Sequence, residues 1–306
     1  MHNLTLQPHE GWQTTGLFAL PGEPLAICFD KSEAPAAAMW GDESCTDEPC
    51  MWEARIGCHT DTLWHKEEML RWPDMRCTAA LTQPLTVMVS PYGGPLYLEL
   101  KPGRSARWPD SGMGTAAVSV TGAITAPVFR HGMTAADWSD ARAQPAPFAE
   151  LAGDHIIFSL PSFSIRSLNF DRIRRTLQFW DKIIGAHCEL AGITVPARPE
   201  RVVCDVQISA GYMHSGYPVM VHLDQVDPAK CAADSPPVVD IEALEARGSW
   251  GMYHELGHNR QLGAYTFSGT TEVTVNIFTL FTMHRINHVG EPNHAPAAPP
   301  RLRCLA

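Results

Sequence analysis

Residues 250–259 read WGMYHELGHN and contain the pattern His-Glu-x-x-His. In an α-helix, His254 and His258 lie four residues apart, so both imidazoles project from one face, about one turn from each other. Two neutral imidazole nitrogens at this spacing can bind one Zn²⁺ ion. Glu255 is rotated by about 100° from His254 around the helix axis, so its carboxylate can act on a water molecule without ligating the metal. The segment predicts a helix that carries two zinc ligands and a general base.

A catalytic zinc site needs a third protein ligand and leaves the fourth position for water. The next carboxylate downstream is Glu272, in the segment TTEVTVN at 270–276. The intervening residues are sufficient for a loop and a returning antiparallel helix, with Thr270 as its N-cap and Glu272 in its first turn. Two histidines and a glutamate are the ligand set of thermolysin-like peptidases. If Glu272 points elsewhere, the alternative third ligands are Asp224, Glu242, Glu245 and His284.

The composition excludes several classes of protein. The chain has 306 residues, of which 45% are hydrophobic and 18% charged, so it is not disordered, collagen-like or a coiled coil. Its net charge of −10 lacks the basic footprint of nucleic-acid binding, and no nucleic-acid partner is predicted. No apolar run reaches the roughly 20 residues of a transmembrane helix, and no signal peptide is visible. We expect a cytoplasmic or membrane-peripheral protein, or a secreted one if the N-terminus is incomplete.

The nine cysteines are scattered along the chain, and their number is odd. This usage favours reduced thiols. A disulfide between Cys45 and Cys50 in an exported form is the alternative.

Residues 1–138 are predicted to form a β-rich subdomain. Short apolar runs alternate with turns that contain glycine and proline, a pattern typical of a β-sandwich. The runs at 85–89 and 96–100 flank a turn-forming segment, as in a hairpin. The predicted strands are 17–20, 24–29, 85–89, 96–100, 116–120 and 124–129.

The period of the apolar residues changes after a predicted linker at 139–147. Residues 148–289 are predicted to form the catalytic subdomain, with Asp240 as the N-cap of one helix and Gly248 after its end. Residues 290–306 contain four prolines and no periodicity, so they are predicted to be a disordered tail. The predicted strands are 156–160 and 201–208, and the predicted helices are 168–189, 241–247, 250–262 and 271–287.

Other residues near the motif are candidates for supporting roles. Asn276 lies one turn after Glu272 and could hydrogen-bond a metal ligand. Tyr253 and Tyr217 are candidates for stabilising the transition state, because such sites often place a phenol or an imidazole near the oxyanion. His214 is predicted to be structural or part of the substrate cleft, with a contact behind the ligands as the alternative. Other potential ligands, Cys58, His59 and His65, fall in the β-rich half and are predicted to be structural.

Several segments resemble a known family. Residues 250–259, 270–276 and the segment DVQISAGYMHSGYP at 205–218 resemble the enhancin-type, or M60-like, metallopeptidases. Within this family they are similar to the TRP-channel-associated factors and their homologues. Shorter matching stretches are RIGCHTD at 55–61, YGGPLY at 92–97 and FAEL at 148–151. The resemblance therefore covers nearly the whole chain.

The resemblance implies an α+β fold, with an N-terminal β-sandwich-like subdomain followed by a gluzincin-type metallopeptidase subdomain. It also implies one Zn²⁺ per chain and cleavage of peptide bonds in glycosylated, mucin-like proteins. Family members continue beyond the glutamate helix with a helical subdomain, so the C-terminal helical part is expected to be truncated here. This truncation leaves the efficiency of turnover open.

The channel-associated members of the family instead regulate a membrane ion channel, and in them arginine replaces the second histidine of the motif. This sequence retains His258, which favours an active zinc endopeptidase. A non-catalytic regulatory module of an ion channel, with the same fold, is the alternative.

Overall fold

The computed structural model describes residues 1–7, 11–29, 51–101, 116–227, 229–231 and 235–290. These residues form two compact units. The first contains Met1–Thr60, Met75–Pro127 and Ala143–Glu150, and the second contains Asp61–Asp74, Val128–Arg142 and the chain from Leu151 onward. Compact units need not coincide with domains, so the predicted boundaries at 138 and 148 stay a prediction. Cys45, Cys50 and all but the first residue of the predicted tail lie outside the described residues.

Nine strands of the first unit form two sheets. The four-stranded sheet has the order β1-β8-β3-β6, and the five-stranded sheet has the order β5-β4-β7-β2-β9. Buried apolar side chains from both sheets, such as Ile27 and Val120 from one and Ile56 and Leu98 from the other, form one core. The predicted β-sandwich-like arrangement is confirmed. The strands are β1 (His2–Leu6), β2 (Trp12–Ala19), β3 (Pro24–Phe29), β4 (Met51–Ile56), β5 (Cys77–Ala80), β6 (Leu85–Val89), β7 (Gly94–Lys101), β8 (Ala116–Thr121) and β9 (Ala123–Thr125).

The hairpin predicted around residues 90–95 is wrong. Strand β6 pairs with β3, whereas β7 pairs with β2 and β4, so the turn connects the two sheets. The turn also needs glycine, because Gly94 has a φ of 143° and a Cβ there would lie 2.8 Å from the backbone of Gly57. Turn chemistry marks a reversal of the chain, but it does not specify which sheet the next strand joins.

The remaining strands form a six-stranded sheet of the order β10-β11-β12-β13-β15-β14. Strands β12, β13 and β15 are parallel, and β14 is an antiparallel strand at the edge, bonded to β15. The strand predicted at 124–129 is divided between β9 and β10. The strands are β10 (Val128–Arg130), β11 (Phe148–Ala152), β12 (Ile156–Pro161), β13 (Glu200–Asp205), β14 (Met213–His214) and β15 (Val219–His222).

Six α-helices occur among the described residues. Helix α1 begins with a capping box between Thr134 and Asp137 and occupies the start of the predicted linker, so that linker is shorter than expected. The predicted N-cap of α3 is confirmed, since the Asp240 side chain accepts from the backbone N–H of Ala243. The helices are α1 (Ala135–Ala141), α2 (Phe170–Ala191), α3 (Ile241–Arg247), α4 (Trp250–His258), α5 (Thr271–Thr274) and α6 (Asn276–Asn287), and two 3₁₀ turns cover Ser162–Ser164 and Leu223–Val226.

Helix α2 is the longest helix described, and its apolar face is buried. Trp180 of α2 is fully buried and packs against Phe158 of β12 and Tyr253 of α4. Its indole N–H donates to the carbonyl oxygen of Val238, at 2.9 Å. The core of the second unit therefore supports the helix that carries the His-Glu-x-x-His motif. Within the described ranges, we find no helix with the length and apolar character needed to span a bilayer.

Candidate metal centre

Helix α4 carries His254, Glu255 and His258, and it ends four residues earlier than predicted. Its end is tied to the sheet through Glu200 of β13. The Glu200 carboxylate accepts from the side-chain amide of Asn259, at 2.9 Å, and forms a buried ion pair with Arg260, at 3.1 Å. These contacts fix the last turn of α4, where His258 lies.

The single helix predicted at 271–287 is divided into α5 and α6 at Val275. Glu272 lies in the first turn of α5, as predicted. Thr270 occupies the N-cap position without a capping hydrogen bond. Its hydroxyl instead donates to the carbonyl oxygen of Phe267, at 2.8 Å, so Thr270 holds the predicted position but does not cap the helix through its side chain.

Three potential ligand atoms converge between α4 and α5. The Nε2 atoms of His254 and His258 lie 3.1 Å apart, and Oε2 of Glu272 lies 3.0 Å from the first and 3.4 Å from the second. The imidazole side chains are 16% and 12% exposed, whereas the carboxylate side chain is 76% exposed. The cluster therefore lies at the surface, with its histidines largely covered.

These distances fit a tetrahedral metal ion. Ligand atoms about 2.0–2.1 Å from a Zn²⁺ ion, at tetrahedral angles, are separated by roughly 3.3 Å. The three measured separations, 3.0, 3.1 and 3.4 Å, bracket this value. The predicted ligand set is thus brought together, with the Nε2 atoms of both histidines facing the common point.

An amide holds His254 in the tautomer that a metal requires. Asn276 donates from Nδ2 to the carbonyl oxygen of Glu272, at 2.9 Å, so its Oδ1 faces His254. This oxygen lies 2.9 Å from Nδ1 of His254 and can only accept, so Nδ1 carries the proton and Nε2 is free to ligate. The contact predicted for Asn276 is present.

His258 is held in the same way by Gln261, a residue that the sequence pattern did not single out. Gln261 donates from Nε2 to the carbonyl oxygen of Thr271, at 2.7 Å, and to the hydroxyl of Thr274, at 2.6 Å. Its Oε1 therefore faces Nδ1 of His258, at 2.9 Å, and accepts the proton there. Gln261 lies three residues after His258, and this spacing was the available signal.

Glu255 lies on α4 between the two histidines and is partly buried. Burial raises the pKa of Glu255 above the ordinary value for a glutamate, while the electrostatic interactions with His254 and His258 act in the opposite direction. The negative charge of Glu272 also raises the pKa of Glu255. A carboxyl group with a raised pKa beside a metal site suits a group that accepts and returns a proton.

The transition-state role considered for Tyr253 is not compatible with the structure. Its side chain is fully buried, and its hydroxyl donates to Oδ1 of Asn287, at 2.9 Å. Burial raises the pKa of Tyr253 above the ordinary value for a tyrosine. A hydroxyl buried in the core cannot contact a substrate, so Tyr253 has a packing role.

The other two candidates lie on the segment after β13. Tyr217 is half-buried under the guanidinium of Arg198, which lies 4.1 Å from the ring centroid. His214 lies on β14, half-buried, with Nε2 2.8 Å from Oδ2 of Asp61. No contact of either residue with the three clustered ligands is among those that the structure describes, so a role for Tyr217 stays a prediction.

The alternative third ligands have other partners. Glu242 and Glu245 form ion pairs with arginines of α2, Asp224 lies 3.5 Å from His222, and His284 contacts the carbonyl oxygen of Val289. His65 belongs to the second unit and not to the β-rich unit. It contacts the backbone oxygen of Ser209, which is consistent with a structural role.

The motif helix, its glutamate partner and the sheet that supports them together define a metallopeptidase fold. The chain belongs to the family of peptidase M60, enhancin and enhancin-like proteins, whose model matches residues 122–298. Residues 7–108 match the model of the N-terminal domain of M60-like peptidases. The resemblance identified from the sequence is confirmed.

Curated relatives carry the name of channel-associated factors. TRPM8 channel-associated factor 2 of Bos taurus is 31% identical over 298 residues, which cover 96% of this chain and 29% of the relative. TRPM8 channel-associated factor 1 of Homo sapiens is 32% identical over 274 residues, which cover 88% of this chain and 26% of the relative. The chain thus spans less than a third of the length of these relatives.

Solved structures with the same fold include M60 metallopeptidases. IMPa of Pseudomonas aeruginosa, solved with an O-glycopeptide, has a TM-score of 0.60 at 19% identity, over 94% of this chain and 33% of that one. The M60 catalytic domain of ZmpC of Clostridium perfringens, solved with the sialyl T antigen, has a TM-score of 0.61 at 16% identity, over 90% and 52%. At this level of identity, the likeness shows the fold alone.

Proposed function

We propose that this protein is a zinc-dependent endopeptidase that hydrolyses peptide bonds in glycosylated, mucin-like proteins. The observation that carries the proposal is the convergence of His254 Nε2, His258 Nε2 and Glu272 Oε2 at separations of 3.0 to 3.4 Å. Both imidazoles are held by amides in the tautomer that exposes Nε2. Two histidines and a glutamate in this arrangement would hold one Zn²⁺ ion.

A Zn²⁺ ion held by His254, His258 and Glu272 would supply a Lewis acid that polarises a carbonyl group and lowers the pKa of water. Glu255 supplies the proton transfer. Its carboxylate accepts a proton from the water that attacks the scissile carbonyl carbon, and it passes the proton to the amine nitrogen as the C–N bond breaks. The products are a carboxylate and an amine, and Glu255 returns to its starting state.

The proposed substrate class rests on the similar structures. IMPa is bound to an O-glycopeptide, and the M60 domain of ZmpC is bound to the sialyl T antigen. An O-glycosylated peptide is therefore the first substrate to test. The chain covers only part of the length of its relatives, so an assay of a whole relative would not test it. The assay should use the 306-residue chain itself.

The first experiment measures zinc content and cleavage together. Purified wild-type protein should bind one zinc per chain and cleave a mucin-type glycopeptide. Glu255→Gln should retain zinc and lose cleavage, whereas His258→Arg should lose both. If the wild-type protein binds no metal in zinc-replete buffer, the proposal is refuted. If Glu255→Gln cleaves the substrate as well as the wild type does, the role of Glu255 is refuted.

The second candidate function is a non-catalytic module that associates with an ion channel. It is favoured by the identity of about a third to TRPM8 channel-associated factors across nearly the whole chain. In this case, TRPM8 should be captured by the protein, and capture should survive His258→Arg without any proteolysis. Capture that is absent, together with zinc-dependent cleavage, favours the peptidase.

A further inference from the structure

A segment that precedes the motif by almost two hundred residues is built into the second unit. Residues 61–74, here called the 61–74 segment, belong to that unit although both flanking stretches belong to the first. Arg71 donates from Nε to Oδ2 of Asp205, at 2.7 Å. The two side chains are only 6% and 1% exposed. A buried, charge-assisted contact of this kind holds the 61–74 segment at the end of strand β13.

Further contacts bind the 61–74 segment to the residues that follow β13. The backbone N–H of Leu70 donates to Oε1 of Gln207, at 2.7 Å, and Nε2 of Gln207 donates to the carbonyl oxygen of Glu68, at 2.8 Å. Nε2 of His65 lies 2.9 Å from the backbone oxygen of Ser209. The 61–74 segment therefore supports the connection between β13 and β14.

Asp61 makes the contact that reaches β14. Its Oδ2 accepts from the backbone N–H of Ser209, at 2.6 Å, and lies 2.8 Å from Nε2 of His214. The other ring nitrogen of His214, Nδ1, lies 3.0 Å from the carbonyl oxygen of Ser215. A carboxylate and a carbonyl oxygen both accept, so an imidazolium with protons on both nitrogens satisfies these two contacts together, while the Ser209 hydroxyl also lies 3.2 Å from Nε2.

The electrostatics agree with this geometry. The hydrogen bond to Asp61 raises the pKa of His214 above the ordinary value, although partial burial opposes it. Burial acts to raise the pKa of Asp61, but the hydrogen bonds from His214 and Ser209 prevail, and the value is below that of an ordinary aspartate. The charged pair is thus the favoured state. The Asp61 side chain is 8% exposed and that of His214 is 27% exposed, so the imidazolium is the member that reaches solvent.

His214 lies alongside the motif helix. A Cβ at Gly251 of α4 would lie 3.1 Å from Sδ of Met213, so β14 approaches the first turn of α4 closely. At the other end, Asn259 exchanges two hydrogen bonds with the backbone of Gly216, both 3.0 Å. His214 is between these two anchors, and the charge of Glu255 contributes to its raised pKa. Strand β14 and the residues that follow it therefore run alongside α4, the helix that carries Glu255.

Strand β14 is also the edge of its sheet, bonded to β15. An edge strand can pair with an extended peptide through main-chain hydrogen bonds. With only two residues, β14 depends on its neighbours to hold it in a fixed place.

We propose that Asp61 is a positioning residue for the peptidase reaction. Asp61 holds His214 as an imidazolium, and this contact fixes edge strand β14 beside α4, where an extended substrate can pair with it. The proposal rests on the proposed peptidase function. Asp61 acts through His214 and β14, and it contacts neither the metal ligands nor the substrate. Its loss should therefore weaken substrate binding without releasing zinc.

The first test measures the protonation of His214 directly. NMR titration of ¹³C-labelled histidines in chelator-treated wild-type protein should show a pKa for His214 above that of an ordinary histidine, with the resonance assigned by its absence in His214→Gln. Asp61→Asn should lower the pKa of His214. Glu67→Gln is the matched control, because it removes one negative charge from an exposed position of the same segment, and it should leave that pKa unchanged.

The second test uses the zinc-loaded enzyme and a mucin-type glycopeptide. Asp61→Asn should raise KM about tenfold, the order expected for loss of one charge-assisted hydrogen bond, with kcat less affected and one zinc still bound. Asp61→Glu, which restores the carboxylate, should recover part of the loss.

The two proposals fail in different ways. A wild-type His214 whose pKa is not above that of an ordinary histidine, or an unchanged KM in Asp61→Asn, overturns the role of Asp61 and leaves the peptidase intact. Absence of cleavage by the zinc-loaded wild type overturns the peptidase, and the role of Asp61 in that reaction with it.

Discussion

Gly257 of α4 and Phe278 of α6 approach so closely that no side chain fits between them. A Cβ atom at Gly257 would lie 2.9 Å from Cβ of Phe278 and 3.1 Å from Cγ2 of Val275. Phe278 is fully buried, so a shift of its side chain would disturb the core around it. The close packing of these helices places α5, with Glu272, within reach of His254 and His258.

Replacing this glycine should separate the ligands. Gly257→Ala is expected to lower the free energy of unfolding by about 1–3 kcal/mol through overpacking, because α4 and α6 must move apart. Zinc affinity, measured by competition with a chromogenic chelator, should fall with it. Gly185→Ala is a matched control in a helix, since a Cβ at Gly185 meets nothing within 4 Å. It should retain zinc affinity and gain roughly 0.5–1 kcal/mol of stability. Equal zinc affinity in the two variants would contradict the packing argument.

The amide of Gln261 should matter for metal binding, although it contacts His258 on the side away from the other two ligands. Gln261→Leu removes the acceptor at Nδ1 of His258, so the tautomer that exposes Nε2 loses its advantage. Zinc affinity is expected to fall by about 10–100-fold. Gln261→Glu keeps an oxygen facing Nδ1 and should retain more affinity than the leucine variant. The same chelator competition measures both, and an unaffected leucine variant would refute the role.

The hydroxyl of Tyr253 should contribute to stability and not to catalysis. Tyr253→Phe leaves Oδ1 of the buried Asn287 without the donor it has now. The expected loss in the free energy of unfolding is about 1–3 kcal/mol, measured by urea denaturation. The kcat for a glycopeptide should stay within about twofold of the wild type. A large fall in kcat with unchanged stability would restore Tyr253 as a candidate for the transition state.

The ion pair of Asp61 and His214 should stabilise the fold over a limited range of pH. Unfolded aspartate and histidine have pKa values of about 3.9 and 6.5. The raised pKa of His214 gives stability that is present below about pH 6.5 and is lost as the pH rises through the folded value. The lowered pKa of Asp61 gives stability that is present above about pH 3.9 and is lost as the pH falls through the folded value.

The difference in unfolding free energy between the wild type and Asp61→Asn should therefore be largest between about pH 4 and 6.5. Urea denaturation of zinc-free protein at a series of pH values measures it. A difference that keeps growing into the alkaline range would show that Asp61 acts through another group.

Much of the candidate site was predictable because it is local. The periodicity of the α-helix places His254, Glu255 and His258 close together on the helix surface. The residues between His258 and Glu272 are enough for a loop and a returning helix, so Glu272 could be expected near the histidines. The N-cap at Asp240 was predictable for the same reason, since a side chain and the next turn of backbone are covalent neighbours. The pairing of the strands on either side of residues 90–95 was not predictable, because the packing of the sheets, and not the turn, determines which strands pair.

Residues 250–276 by themselves predicted a zinc ion, two histidine ligands and a general base, because helical geometry brings His254, Glu255 and His258 together. Glu272 was the expected third ligand, and the packing of α4 against α6 is what brings it to the histidines. Tertiary structure alone decided that Asp61 meets His214, that Gly257 meets Phe278 and that Tyr253 is turned into the core. These relationships join parts of the chain that no short-range rule connects. They arise when burial of the apolar faces brings distant segments into contact. The spacing of residues along the chain does not indicate which distant segments will meet.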